Sequence, residues 1–153
     1  MTVIAYRDGV MAADSGSFAG ISTFAYARKV ARGPDGTLYG VVGRMSEGSA
    51  FLAWVDAGAK CDMPRPRVIN DVEGTSSYRI MRVRMGCAPE MIDAFGTEIF
   101  TGVPYLTAGS AEDFALGALH SGASAVNAVL ASIAHCQNAV GPVHSVSHLE
   151  TTT

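Results

Sequence analysis

Thr2 stands directly behind Met1 and opens the alternating segment Thr2-Val3-Ile4-Ala5-Tyr6-Arg7. Removal of Met1 would give this one residue both a hydroxyl nucleophile and a free α-amine. An α-amine titrates near pH ~7.7–8.0, where a general base works well at neutral pH. Nucleophile and base would then share a residue. The hydroxyl must still lose its proton, and a nearby ammonium favours the alkoxide. Lys29 is the candidate cation, and Asp14, in Ala12-Ala13-Asp14-Ser15, is the carboxylate that would pair with it and keep it ordered. The Gly-rich run Gly40-Val41-Val42-Gly43 can bring a backbone N–H close to a developing oxyanion, because glycine lets the chain approach without a side chain. The chemistry these residues suggest is acyl transfer.

Composition narrows the alternatives. A chain of 153 residues, 48% apolar and 16% charged, is long enough for one well-buried core and short for two domains, so a single domain over 1–153 is expected. A net charge of -3 and a pI near 5.7 give no general attraction to phosphate backbones, which argues against a nucleic-acid partner. No run approaches the ~18 consecutive apolar residues that span a bilayer, and the N-terminus lacks the basic and apolar regions of a signal peptide. The expectation is a cytoplasmic protein with no membrane partner. Cys61, Cys87 and Cys136 are odd in number and widely spaced, with no C-x-x-C pair, and read as reduced thiols. His135 beside Cys136 does not make a zinc site, since neighbours on a helix point about 100° apart and no second ligand pair has matching spacing. His120, His144 and His148 are isolated. Neither metal nor cofactor is expected.

The elements that must position Thr2, Asp14 and Lys29 are mostly strands. Residues 2–8 and 10–14 read as a hairpin turning at Asp8-Gly9. Segment 15–21 is rich in Ser and Gly and reads as a loop. Thr23 to Ala31 reads as extended, followed by the turn Gly33-Pro34-Asp35-Gly36 and the apolar strand Thr37 to Gly43. A helix is predicted from Ser46 as N-cap, with Phe51, Leu52 and Val55 on one face and Gly58 as its stop. Residues 60–77, with Pro64, Pro66 and Gly74, read as a long surface loop. Tyr78 to Met85 alternates as a strand, with Arg79, Arg82 and Arg84 on a solvated or subunit-facing surface. Short strands are expected at 90–95, 98–100 and Tyr105 to Ala108. Ser110-Ala111-Glu112-Asp113 has the capping-box pattern and starts a helix through Phe114, Leu116 and Leu119 that ends at Gly122. Ser124 caps a second helix with Val126, Val129, Leu130 and Ile133 on its buried face. Gly141-Pro142 breaks it, Val143 to Leu149 forms a last strand, and 150–153 reads as a frayed tail. Hairpins with helices in separate blocks argue for antiparallel sheets under segregated helical layers.

At these residues the sequence resembles the proteasome β-subunit family, especially the bacterial HslV-type peptidases and their short stand-alone relatives, within the N-terminal-nucleophile hydrolases. Thr2-Val3-Ile4 stands where that family has its nucleophilic threonine, and Gly9-Val10-Met11-Ala12-Ala13-Asp14-Ser15 where it has its second strand and aspartate. Lys29-Val30 matches its catalytic lysine and following valine. Gly40-Val41-Val42-Gly43 with Ser46-Glu47-Gly48 matches the strand-to-helix turn that supplies the oxyanion amide, a role the resemblance gives to Gly43. Gly109-Ser110 matches the family's Gly-Ser, where the serine supports the threonine amine. The resemblance covers most of the chain. It implies an α+β fold, a four-layer αββα sandwich with one helical layer thinned at 60–77.

The resemblance also exposes departures. Arg44 follows the oxyanion glycine where the family has a small residue, and would narrow or charge the substrate groove. The family's later aspartate and serine fall at about Cys136 and Ala139, with Asn138 brought in only by a gap, and an amide cannot hold charge as a carboxylate does. Three functions stay open: a threonine peptidase, a catalytically degenerate ring- or particle-forming subunit, and an amidase for small amides. The resemblance implies a peptide or unfolded-protein substrate and a homo-oligomeric ring. The chain has no P-loop, so any ATP-dependent unfoldase would be a separate partner. Short length and a thinned outer layer fit a phage- or prophage-encoded relative.

Overall fold

The Asp8-Gly9 turn closes the first hairpin, with φ of 51° and 78° at its two central residues, as a type I′ turn requires. It joins β1 (Ile4–Arg7) to β2 (Val10–Ala13) in the register Ile4↔Ala13 to Arg7↔Val10. The computed structural model describes residues 2–19 and 22–149. The remaining elements are β3 (Gly16–Ala19), β4 (Ser22–Tyr26), β5 (Val30–Arg32), β6 (Leu38–Gly43), α1 (Met45–Asp56), β7 (Val68–Asn70), β8 (Thr75–Ser76) and β9 (Tyr78–Val83). They continue with β10 (Glu90–Ile92), β11 (Thr97–Ile99), β12 (Tyr105–Ala108), α2 (Glu112–His120), α3 (Ala125–His135) and β13 (His144–Ser147).

Period-two alternation along the first strand builds the layers. Val3 and Ala5 pack towards α2 and α3, with Ala115, Leu119, Ala128 and Val129. Ile4 faces the other way, into a second core with Met11, Val30, Leu38 and Met81 between the two main sheets. Those sheets are antiparallel, ordered β12-β1-β2-β13 and β11-β10-β9-β6-β5. A third core, around Tyr39, Phe51, Val55 and Ile80, joins the outer face of the second sheet to α1. The result is an α+β four-layer αββα sandwich in which, among the described residues, α1 alone covers one face. No helix there is long and apolar enough to cross a membrane.

Several local expectations change. Residues within 15–21 form part of a strand: Gly16 and Ser17 pair with Tyr26 and Ala25, a ladder of main-chain groups that Ser/Gly composition conceals. Helix α1 begins at Met45 with Arg44 as its cap residue and no side-chain cap; tertiary pairing of the Arg44 N–H with the Ser77 carbonyl at 3.0 Å sets its start instead of Ser46. The 60–77 stretch contains the small hairpin β7–β8. Arg79 and Arg84 are exposed as expected, but Arg82 is half-buried against Glu90 at 2.6 Å, a carboxylate that Arg84 also reaches at 3.1 Å. Burial alone would raise the Glu90 carboxyl, yet the two guanidiniums bring it below its ordinary range.

Ser124 does cap α3, accepting from the Asn127 N–H at 3.2 Å. The helix turns Ala125, Ala128, Val129 and Ser132 inward, while Leu130 is 46% exposed and Val126 and Ile133 lie at the flank. Small residues let α3 sit close to the sheet and to α2, so the largest side chains are displaced sideways. Phe114 and Leu116 are likewise exposed, and Ala115 and Leu119 carry the α2 packing. The three cysteines are free. The tail at 150–153 lies outside the described residues.

Candidate active site

Asp14 follows β2 directly, beside the head of the first strand, and its carboxylate is saturated with donors. Oδ1 accepts from the Val3 N–H at 3.0 Å and from Lys29 Nζ at 2.8 Å. Oδ2 accepts from the Gly16 and Val140 amides, each at 3.2 Å. The Asp14 N–H returns a bond to the Val3 carbonyl at 3.2 Å. Both Asp14 and Lys29 are wholly buried. Burial pushes the Lys29 ammonium below the usual lysine range, and the adjacent Asp14 charge opposes that shift. A buried pair of this kind is retained only where hydrogen bonds satisfy the charges. One Asp14 oxygen thus links Lys29 to the residue next to Thr2.

Thr2 is held from the other side by the β12–α2 corner. Its N–H donates to Ser110 Oγ at 3.2 Å, and its carbonyl accepts from the Ala111 N–H at 3.2 Å. Ser110 therefore does not cap α2, whose cap residue is Ala111. The corner requires glycine at 109: φ is +116°, and a Cβ there would lie 2.1 Å from the Thr2 carbonyl oxygen. Thr2 is 3% exposed, which leaves a narrow face towards solvent.

That face opens into a cleft of about 580 Å³ shared with Gly43 and Ser110. Gly43 ends β6 at φ +110°, and a Cβ there would stand 2.9 Å from Tyr78 Cα, so the close approach again demands glycine. Gly74, Thr75, Ser76 and Tyr78 form a wall the sequence reading missed. The β7–β8 hairpin carries that wall, and α1 fastens it: Glu47 accepts from Ser77 Oγ at 2.7 Å and pairs with Arg67. The Tyr78 hydroxyl, pushed up to about 12 by burial and then by Glu47, stays a donor to the Pro64 carbonyl at 3.1 Å. Arg44 does not line the cleft; the charged residues that do are Arg79 and Asp93.

The segment after α3 closes the site from below. Val140 donates to Asp14 and accepts from the Ser15 N–H at 2.8 Å, and Ser15 Oγ donates to the Pro142 carbonyl. Cys136 caps α3, and Ala139 is buried in the same core as Val3. The structure therefore brings Thr2, Asp14, Lys29, Gly43 and Ser110 into one region, with Cys136 and Ala139 nearby. Among the described residues no His, Cys, Asp and Glu cluster could hold a metal.

No protein-family model and no curated protein sequence matches the chain. Solved structures do. BPH from Thiobacillus denitrificans in complex with epoxomicin superimposes with a TM-score of 0.66 at 18% identity, over 95% of this chain and 96% of that one. A second structure of Thiobacillus denitrificans BPH gives 0.63 at 17% identity, over 95% of each chain. The Anbu (Gly-1) mutant from Hyphomicrobium sp. strain MC1 gives 0.64 at 13% identity, over 96% of this chain and 81% of that one. With the layers described above, these likenesses give the chain the proteasome-like N-terminal-nucleophile hydrolase fold.

Proposed function

We propose that the protein is a threonine peptidase whose nucleophile is Thr2 once Met1 has been removed. The observation that carries this reading is the placement of Thr2 in the wall of the cleft, between Ser110, 3.2 Å from its nitrogen, and the buried Asp14–Lys29 pair. Thr2 Oγ attacks the scissile carbonyl, and the freed Thr2 amine takes the hydroxyl proton. The Gly43 N–H binds the oxyanion, a contribution of about 10²–10³ in rate for one such donor. The tetrahedral intermediate collapses to an ester on Thr2, and the amine passes its proton to the leaving nitrogen. Water then attacks the ester with the amine as base, releasing a carboxylic acid and restoring Thr2. Lys29 favours the ionised hydroxyl, and Asp14 holds Lys29.

A peptide substrate suits the cleft, which is walled by the β7–β8 hairpin. Epoxomicin, the ligand named for BPH, also supports a peptide-like occupant here. The competing reading is a non-catalytic subunit, favoured by Cys136 and Ala139 where the family resemblance expects a carboxylate and a hydroxyl. Hydrolysis of a fluorogenic peptide panel by the wild type and by Thr2→Ala separates the two. A loss of at least about 10³-fold in kcat/KM is expected from removal of the nucleophile. Equal turnover by the two proteins would refute the peptidase assignment.

A further inference from the structure

A second chamber, of about 440 Å³, adjoins the Thr2 cleft and shares Arg79 and Asp93 with it. It arises from the sandwich's open edge. On one side β13 packs against β5 and closes the sheets. On the other, the outermost strands β11 and β12 leave space between the sheets. Met91, Phe95, Phe100 and Leu106 give the chamber apolar walls. Asp93, Glu98 and Glu112 stand around it against the single guanidinium of Arg79. Sheet register explains the junction: Met91 pairs with Met81 and Ile92 with Ile80, so Asp93 falls opposite Arg79 where the two spaces meet. The Asp93 carboxylate is turned into its own loop, accepting from the Phe95 and Gly96 amides at 2.7 and 3.0 Å.

We infer that this chamber is a specificity subsite, one that seats a bulky apolar side chain of the peptide substrate and rejects acidic ones. The role rests on Thr2 being the nucleophile, since only the continuity of the two spaces ties the chamber to the reaction. Its volume lies in the range of ordinary ligand pockets, and such pockets combine apolar walls with a few placed polar groups. Three carboxylates against one guanidinium disfavour a further negative charge. An apolar pocket discriminates by roughly 10–200-fold per methylene-sized change, so selectivity of that order is expected.

The test uses peptide epoxyketones that differ only in carrying Phe, Leu, Ala or Asp at one position, scanned along the peptide. Wild type is compared with Thr97→Trp, an exposed edge position that lines the chamber and whose larger side chain would fill it, and with Phe95→Ala. At one position Phe and Leu should outpace Ala at least 10-fold, with Asp slowest. Thr97→Trp should abolish that preference, and Phe95→Ala should weaken it. Binding of the fluorescent Phe and Ala peptides to Thr2→Ala gives a readout independent of the chemistry. If no epoxyketone reacts but that variant still binds the Phe peptide more tightly, and Thr97→Trp removes the difference, the nucleophile assignment fails while the subsite stands. Indifference to side chain at every position, a preference for Asp or Lys, or a change in oligomeric state without a change in selectivity in Thr97→Trp would overturn the subsite.

Discussion

The Asp14 carboxylate concentrates the energetics of the site. It accepts from three backbone amides and from Lys29, and both ionic side chains are removed from solvent. Truncating one partner of such a pair typically costs about 3–5 kcal/mol, because the survivor is left buried and charged. Lys29→Met should therefore destabilise towards the low end of that range, since three amides still satisfy Asp14. Denaturant unfolding measures it; a change below about 1 kcal/mol would mean the pair is not the buried ion pair described. The pH profile carries a second sign. In the proposed mechanism the Thr2 amine must be unprotonated to act as base, so kcat/KM should rise through about pH 7.7–8.0. The same mechanism needs Lys29 charged, and burial lowers its affinity for the proton, so activity should fall again below the ordinary lysine range rather than above it. Because the folded state holds that proton less tightly than the unfolded chain, the same group makes stability rise with pH over the interval up to the ordinary lysine value. Lys29→Arg, if it folds, should carry the falling limb upwards; an unchanged limb would assign it to another group.

At the scale of elements, the turns hold Thr2, the proposed nucleophile. The β12–α2 corner contacts Thr2 through Ser110, Ala111 and Gly109, and the last of these has no room for a side chain. Gly109→Ala combines a steric conflict with a left-handed backbone, a strain of about 1–3 kcal/mol. It should lower thermal stability and abolish peptide hydrolysis together, whereas Gly117→Ala, at an open position within α2, should do neither. Retained activity in Gly109→Ala would show that Thr2 does not depend on this corner. Such contacts explain what the sequence disclosed and what it withheld. The grouping of Thr2, Asp14 and Lys29 was readable because their residue types fit one chemistry and each flanks an early strand, β1, β2 and β5. Arg79 and Asp93 were not, because only the long-range register of β9 and β10 sets them opposite each other. The α1 start was misplaced for the same reason: a contact with Ser77, thirty or so positions away along the chain, decides it rather than a local cap.

Across the whole molecule, the layered sandwich followed from alternation. Val3, Ile4 and Ala5 each face a different neighbour from the residue before, and that pattern alone separates the helix-facing core from the inter-sheet core. The exposed Phe114, Leu116 and Leu130 contradict a simple amphipathic reading of α2 and α3, because close helix–sheet contact favours Ala and Ser over larger groups. The fold brings the Thr2 amine position, the Asp14–Lys29 pair and the Gly43 strand end to a single cleft, and the account stands on Thr2 being freed and reactive there. Intact mass of the purified chain before and after treatment with a peptide epoxyketone tests this most directly. A freed, nucleophilic Thr2 gives a chain lighter by one methionine that gains one reagent mass, with the adduct mapped to Thr2; retention of Met1, or its loss with no adduct, rules such a nucleophile out.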